Sequence, residues 1–260
     1  MPPIKIAVQL RSVPLEFKKA VPAVARLGAG GVEIDARGEI NPRDMSQTAV
    51  RSIRKLLDDN GLHVPALEFR TRRGYNVADD LTRRVEATKA AMKLAHSLGA
   101  PVVVNQLGRV PEDATSAEWQ LMIEALADLG AYGHRVGALL AAETGSESGA
   151  DLRRLLDALP PAAIAVAFNP GNLLMHGFAP LETIEALGSD ILYVRAKDGV
   201  RDRSKGRGME VTLGRGSADF PALLGALEER GYRGFFAVES VSEREPLAEL
   251  ALAVEYLRNL

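Results

Sequence analysis

Eight times along this chain a short apolar run gives way to a longer stretch of helical period, and that alternation constrains the fold more than any other feature. The runs are residues 4–10, 31–35, 63–69, 101–107, 138–143, 164–168, 191–196 and 234–239. Between them, apolar residues recur at helical spacing. Examples are Val50, Ile53, Leu56 and Leu57; Leu81, Val85, Met92 and Ala95; and Trp119, Met122, Ile123 and Leu126. A last stretch carries Leu247, Leu250, Ala251, Val254 and Leu257. Gly28, Gly61, Gly99, Gly137, Gly188 and Gly231 separate helix from next strand, where a left-handed cap costs glycine little. Units of roughly 30 to 35 residues repeated in this way predict a single (β/α)8 barrel, an α/β fold of one domain over 1–260. An open doubly wound sheet is the competitor, but no GxGxxG follows the first strand.

With 260 residues, 47% of them hydrophobic, the chain is long enough to bury such a core. No cysteine is present, which removes disulfides, thiolate catalysis and cysteine-held metals. The opening MPPIKIAVQL lacks a basic region followed by a long apolar stretch, so a cytoplasmic location is expected. A net charge of −2, with acids and bases interspersed, gives no global pull toward nucleic acid, and no run is long enough to cross a membrane.

In such a barrel the C-terminal ends of the strands face one mouth. Those ends carry Gln9 and Arg11, Glu33 and Asp35, Glu68 and Arg70, Asn105 and Gln106, Glu143, Asn169, Arg195 and Lys197, and Glu239. The stretch AVAFNPGN is the most telling, because Pro170 and Gly171 are expected to turn the backbone and present Asn169 and Asn172 at a strand end. Two loops on the same side are basic: FRTRRGY, with Arg70, Arg72 and Arg73, and the segment from Lys197 to Arg215. The second holds Arg201, Arg203, Lys205 and Arg207 against Asp198, Asp202 and Glu210. Together with Arg11 and Arg37 they read either as a funnel for an anionic ligand or as solvated loops. Gly214 and Gly216 of LGRG read as a tight turn, with a phosphate cradle as the alternative. Of four histidines, His63 starts a strand, His96 and His134 fall late in helices, and only His176 is placed to reach the mouth.

The ordered set GVEID, AAETG, FNPGNL, YVRAKDG, LGRGSADF and AVES resembles the xylose isomerase-like barrels of the sugar phosphate isomerase/epimerase superfamily, over the whole chain. The resemblance implies a divalent manganese, magnesium or zinc ion on a glutamate, an aspartate, a histidine and a glutamate. It also implies proton transfer by the two glutamates through an enediolate. Carried across, the glutamates are Glu143 and Glu239, but the aspartate position is Asn169 and the histidine position Arg195. A neutral amide is a feeble ligand for a hard cation, and a guanidinium has no lone pair to give. The expectation is therefore no metal cofactor, with Arg195 lying between Glu143 and Glu239. Two readings stay open. In the first, Glu143 and Glu239 still move protons and Arg195 or Lys197 stabilises the enediolate oxygen. In the second, the barrel is a non-catalytic binder of a carbohydrate or anionic metabolite. Arg11, Arg70, Asn169, Asn172 and His176 are the expected substrate contacts, the ligand a sugar, sugar phosphate or sugar acid. The resemblance also leads us to expect a homo-oligomer, and a histidine-rich DNA-repair site is not available to this chain.

Overall fold

The structure is a computed structural model that describes residues 3–202 and 207–260. Eight parallel strands close into a barrel: β1 (Lys5–Gln9), β2 (Gly31–Asp35), β3 (His63–Glu68), β4 (Val102–Asn105), β5 (Leu139–Glu143), β6 (Ala165–Phe168), β7 (Ile191–Arg195) and β10 (Phe235–Val238). The helices are α1 (Phe17–Arg26), α2 (Gln47–Asp59), α3 (Leu81–Leu98), α4 (Ala117–Val136), α5 (Gly149–Asp157), α6 (Pro170–His176), α7 (Pro180–Leu187), α8 (Phe220–Glu229) and α9 (Pro246–Arg258). Each of the eight apolar runs contains one barrel strand, one or two residues shorter at some ends.

Period-two alternation sorts the side chains. Ala7, Ala66, Val102, Val104, Ala141, Ala165, Ala167 and Ala237 point into the barrel with Tyr193, so small residues and one large ring fill it. Residues between them, such as Val32, Ile34, Leu67, Val103 and Leu140, face outward and pack under the helices. At Pro65 the β2–β3 register slips, because proline has no amide hydrogen to donate to the ladder. Gly99 and Gly137 close α3 and α4 at φ 81°, the left-handed geometry expected for a glycine cap.

Two local expectations are corrected. Pro170 and Gly171 open a short helix rather than a turn: Asn169 caps α6, its Oδ1 accepting from the Asn172 amide at 3.0 Å, and Pro170 takes the first position. The segment after Lys197 is not an open loop but an antiparallel hairpin, β8 (Asp198–Asp202) with β9 (Arg207–Val211). Arg203 and Lys205 lie outside the described residues, as does the side chain of Arg207. No helix among the described residues is long and apolar enough to cross a membrane.

Candidate active site

The mouth begins one step above the alanine layer. Glu68 stands two residues beyond Ala66, Glu143 beyond Ala141, Asn169 beyond Ala167, Arg195 beyond Tyr193 and Glu239 beyond Ala237. Strand alternation alone therefore turns these polar groups inward at the carboxyl end of the barrel.

The deeper layer is built on Arg195, which is 1% exposed. Its Nη1 donates to Glu143 Oε1 at 2.9 Å, Nη2 to Glu68 Oε1 at 2.7 Å, and Nε to Glu33 Oε2 at 3.2 Å. A further bond joins Nη2 to Glu33 Oε1. The expected Glu143–Arg195–Glu239 arrangement is therefore corrected: the partners are Glu143, Glu33 and Glu68. A long guanidinium rooted on β7 reaches across the barrel to β2 and β3, which strand order does not reveal. Burial pushes the Glu143 carboxyl up, but Arg195 and the Asn169 amide outweigh it and hold the group at about 2. Glu33 moves the other way, raised by burial and by Glu68 against the pull of Arg195.

The outer layer surrounds Glu239. Its Oε2 accepts from Arg11 Nη2 at 2.9 Å, and its Oε1 lies 2.8 Å from Lys197 Nζ in an ion pair without hydrogen-bond alignment. Lys197 also donates to Glu210 Oε2 at 2.7 Å, and Arg11 Nη1 lies 3.2 Å from Glu68 Oε2. Arg70 Nε reaches Glu68 Oε1 at 2.8 Å. Charge thus alternates along one chain of contacts from Glu143 through Arg195, Glu68, Arg11, Glu239 and Lys197 to Glu210. Burial opposes the Lys197 charge, yet Glu239 and Glu210 raise it above the ordinary lysine value. Burial likewise opposes ionisation of Glu239, but Lys197 and Arg11 lower it. Near neutrality this layer holds an ionised carboxylate and an ammonium. The side chains of Glu239 and Lys197 are each 11% exposed, against 3% for Glu143.

The donor set does not suit the divalent metal that the fold implies. Asn169 Oδ1 is a neutral amide oxygen already accepting the Asn172 amide, and Asn169 Nδ2 donates to Glu143 Oε1 at 2.9 Å. The histidine position holds the permanent cation of Arg195, bonded to the same Glu143 oxygen. Glu239 belongs to the other layer. Among the described residues, no group of three or more metal-ligating side chains is gathered.

The remaining sequence candidates take different places. Asn172 Nδ2 approaches Glu143 Oε1 only to 3.5 Å, and His176 Nδ1 bonds the Asn172 carbonyl at 2.8 Å, back onto its own helix. The LGRG turn is a turn, not a cradle. Asp198 accepts from the amides of Gly199, Gly214, Gly216 and Ala218 at 2.8–3.1 Å, so those donors are occupied. A Cβ on Gly216 would sit 2.1 Å from Asp198 Oδ1, which requires glycine there. Glu210 was missed as a site residue. Its place follows from the hairpin register that pairs it with Gly199, and one acid among basic loop residues gives no sign of it.

A family model described as a xylose isomerase-like TIM barrel matches residues 21–260. An inosose dehydratase of Geobacillus thermodenitrificans is 24% identical over 268 residues, covering 89% of this chain and 84% of its own. The crystal structure of a xylose isomerase domain protein from Planctomyces limnophilus superposes with a TM-score of 0.87 at 22% identity, over 99% of this chain and 97% of that one. A xylose isomerase-like TIM barrel protein from Mycobacterium smegmatis, solved in complex with magnesium, gives 0.76 at 18% identity, over 99% and 95%.

Proposed function

The chain belongs to the xylose isomerase-like TIM barrel family, and from that premise we propose that its mouth removes a proton from a carbon beside a carbonyl in a polyhydroxylated small molecule. Glu239 is the base, and Lys197 with Arg11 stabilises the enolate oxygen that forms. What supports this reading is the ionised Glu239–Lys197 pair, 2.8 Å apart, in the partly exposed layer. Glu143, held near 2 and pinned by Arg195 and Asn169, is a poor proton acceptor at neutral pH. In this reading Glu143 anchors Arg195, and the deeper cluster supplies fixed positive charge at the position the family uses for a metal.

Loss of such a proton opens isomerisation and epimerisation, and also the loss of water from a hydroxyketone. In the last case Glu239 takes the proton, and the C–H electrons become the enolate and then the new C=C bond as the carbonyl re-forms. The C–O bond on the adjacent carbon breaks, its hydroxyl leaving as water with a proton from Lys197, which Glu239 then restores. The relationship to an inosose dehydratase favours testing the dehydration first. An inosose and a set of ketoses are incubated with the protein in deuterium oxide, and the C–H signal beside the carbonyl is followed by proton NMR. We expect exchange with the wild type and a loss of at least about 100-fold in Glu239→Gln. Binding without exchange across the set would instead indicate a carbohydrate-binding barrel, and undiminished exchange in the variant would remove Glu239 from the chemistry.

A further inference from the structure

A second site lies outside the barrel wall. Ala36 follows β2 and Phe69 follows β3; both belong to the outward-facing core, whereas Glu33 and Glu68 of the same strands face the mouth. Above Ala36 and Phe69, between the β2–α2 loop, the β3–α3 loop and the first turns of α3, is a cavity of about 550 Å³. That volume is in the range of small-molecule pockets. Ala87 and Ala90 on α3 keep it open with small side chains.

Six arginines line it: Arg37, Arg43, Arg72, Arg73, Arg83 and Arg84. Asp80 is the one acid in the lining. Arg73 pairs with Asp79 at 2.6 Å, but Arg37, Arg43, Arg72, Arg83 and Arg84 form no ion pair among the described residues. Arg37 is held over the Phe69 ring at 4.8 Å, a cation–π contact that fixes its head at the cavity edge. The mouth, by contrast, matches its bases with Glu33, Glu68, Glu143, Glu210 and Glu239. The expected basic funnel is thus divided. Arg11 and Arg70 are engaged by acids, Arg201 and Arg215 form no ion pair among the described residues but lie away from the cavity, and Arg37, Arg72 and Arg73 line the cavity on the other side of the wall.

Arg84 is the informative member. It is 8% exposed, and its Nη1 donates to the Asp79 carbonyl at 2.7 Å and its Nη2 to the Val77 carbonyl. Its Nε is buried with no partner among the described residues. A buried cation bonded only to neutral carbonyls lacks the countercharge that ordinarily offsets its desolvation. At the same edge Asp80 has left-handed φ of 54° and makes no side-chain cap, so the first amides of the 18-residue α3 are uncapped by it.

We propose that this cavity binds a small anion carrying at least two phosphate groups, the chemistry of a phosphorylated metabolite, at a site separate from the mouth. Guanidinium forks match phosphate oxygens in pairs, and several forks around one concavity suit more than one phosphate. A nucleic-acid backbone passing over the surface would meet the exposed Arg43, Arg72 and Arg83 but would leave the cavity beneath them unfilled. The inference does not depend on the chemistry assigned to the mouth.

Isothermal titration with inorganic pyrophosphate, in physiological salt, tests it. We expect one pyrophosphate per chain and affinity reduced at least about tenfold in the Arg43→Ala/Arg72→Ala/Arg83→Ala variant, whose altered residues are exposed and leave folding intact. Lys197→Met, at the mouth, should bind pyrophosphate as the wild type does. The proposal is overturned if the wild type gives no heat and no rise in Tm, if the triple variant binds equally well, or if Lys197→Met loses binding. Inorganic phosphate binding as tightly as pyrophosphate would overturn the multiply charged class, and tighter binding of a short DNA duplex would overturn the small-ligand one.

Discussion

Replacing Arg195 with methionine removes the cation shared by three buried carboxylates, and the only one paired with Glu33 and Glu143 among the described residues, while keeping most of the side-chain volume. Glu33 and Glu68 are each 2% exposed, and Glu143 is 3% exposed, so none can turn to water without opening the mouth. Breaking a buried ion pair by removing one partner costs about 3–5 kcal/mol. Glu33 and Glu143 lose their cation while Glu68 keeps Arg11 and Arg70, so a cost within that range is expected. In a chain of this length about 1 kcal/mol moves Tm by roughly 2 °C, so the drop near pH 7 should be about 6–10 °C. Its pH dependence has a definite sign. Without Arg195, burial holds Glu33 above its unfolded value and is no longer outweighed by a paired guanidinium at Glu143, which rises as well. The stability they allow is complete below the unfolded value and is lost as pH rises through the raised folded values. In the wild type Glu143 is depressed to about 2 instead, so its contribution is present above 4.5 and lost as pH falls toward 2. The gap in Tm between the two proteins should therefore narrow on acidification from about pH 8 to about pH 4. Calorimetry across that range measures it. A deficit below about 1 kcal/mol near pH 7, or one that widens on acidification, would refute the assignment of Arg195 as the cluster's organising charge.

Two other perturbations have clear expectations. Asp198→Ala leaves the amides of Gly214, Gly216 and Ala218 without their acceptor; stability should fall by about 2–3 kcal/mol, and hydrogen exchange should quicken at those amides first. Glu39, raised to about 7 chiefly by burial, contributes stability that is lost as pH rises through that value, so Glu39→Gln should match the wild type near pH 5 and exceed its Tm near pH 8.

The sequence made the barrel legible because strand and helix periods alternate without interruption, and the inward positions follow from period two once the strands are placed. The substitutions at Asn169 and Arg195 were equally legible, since they fall inside motifs of fixed order. Partnerships across the barrel were not. Arg195 meets Glu33 and Glu68 across 162 and 127 residues of sequence, a distance bridged by side-chain length and barrel closure rather than by any local pattern. The NPGN motif illustrates the difference. Its turn-forming residues suggested a loop, but Asn169 caps a helix and Gly171 lies where a Cβ would press to 2.5 Å from Lys197 Cγ. The arginine-lined cavity was half visible: FRTRRGY and Arg37 stood out as basic, while Arg43, Arg83 and Arg84 sit on another loop and a helix. Only the alternation through Glu68 and Phe69 separates its wall from the mouth.

In the proposed site Arg195 takes the place of the metal at the barrel mouth. Metal content by mass spectrometry, after incubation with manganese and desalting, reads this out. The wild type should retain no stoichiometric manganese, whereas Asn169→Asp combined with Arg195→His should retain it. Near-stoichiometric manganese in the wild type would contradict the claim and return the site to metal-dependent chemistry.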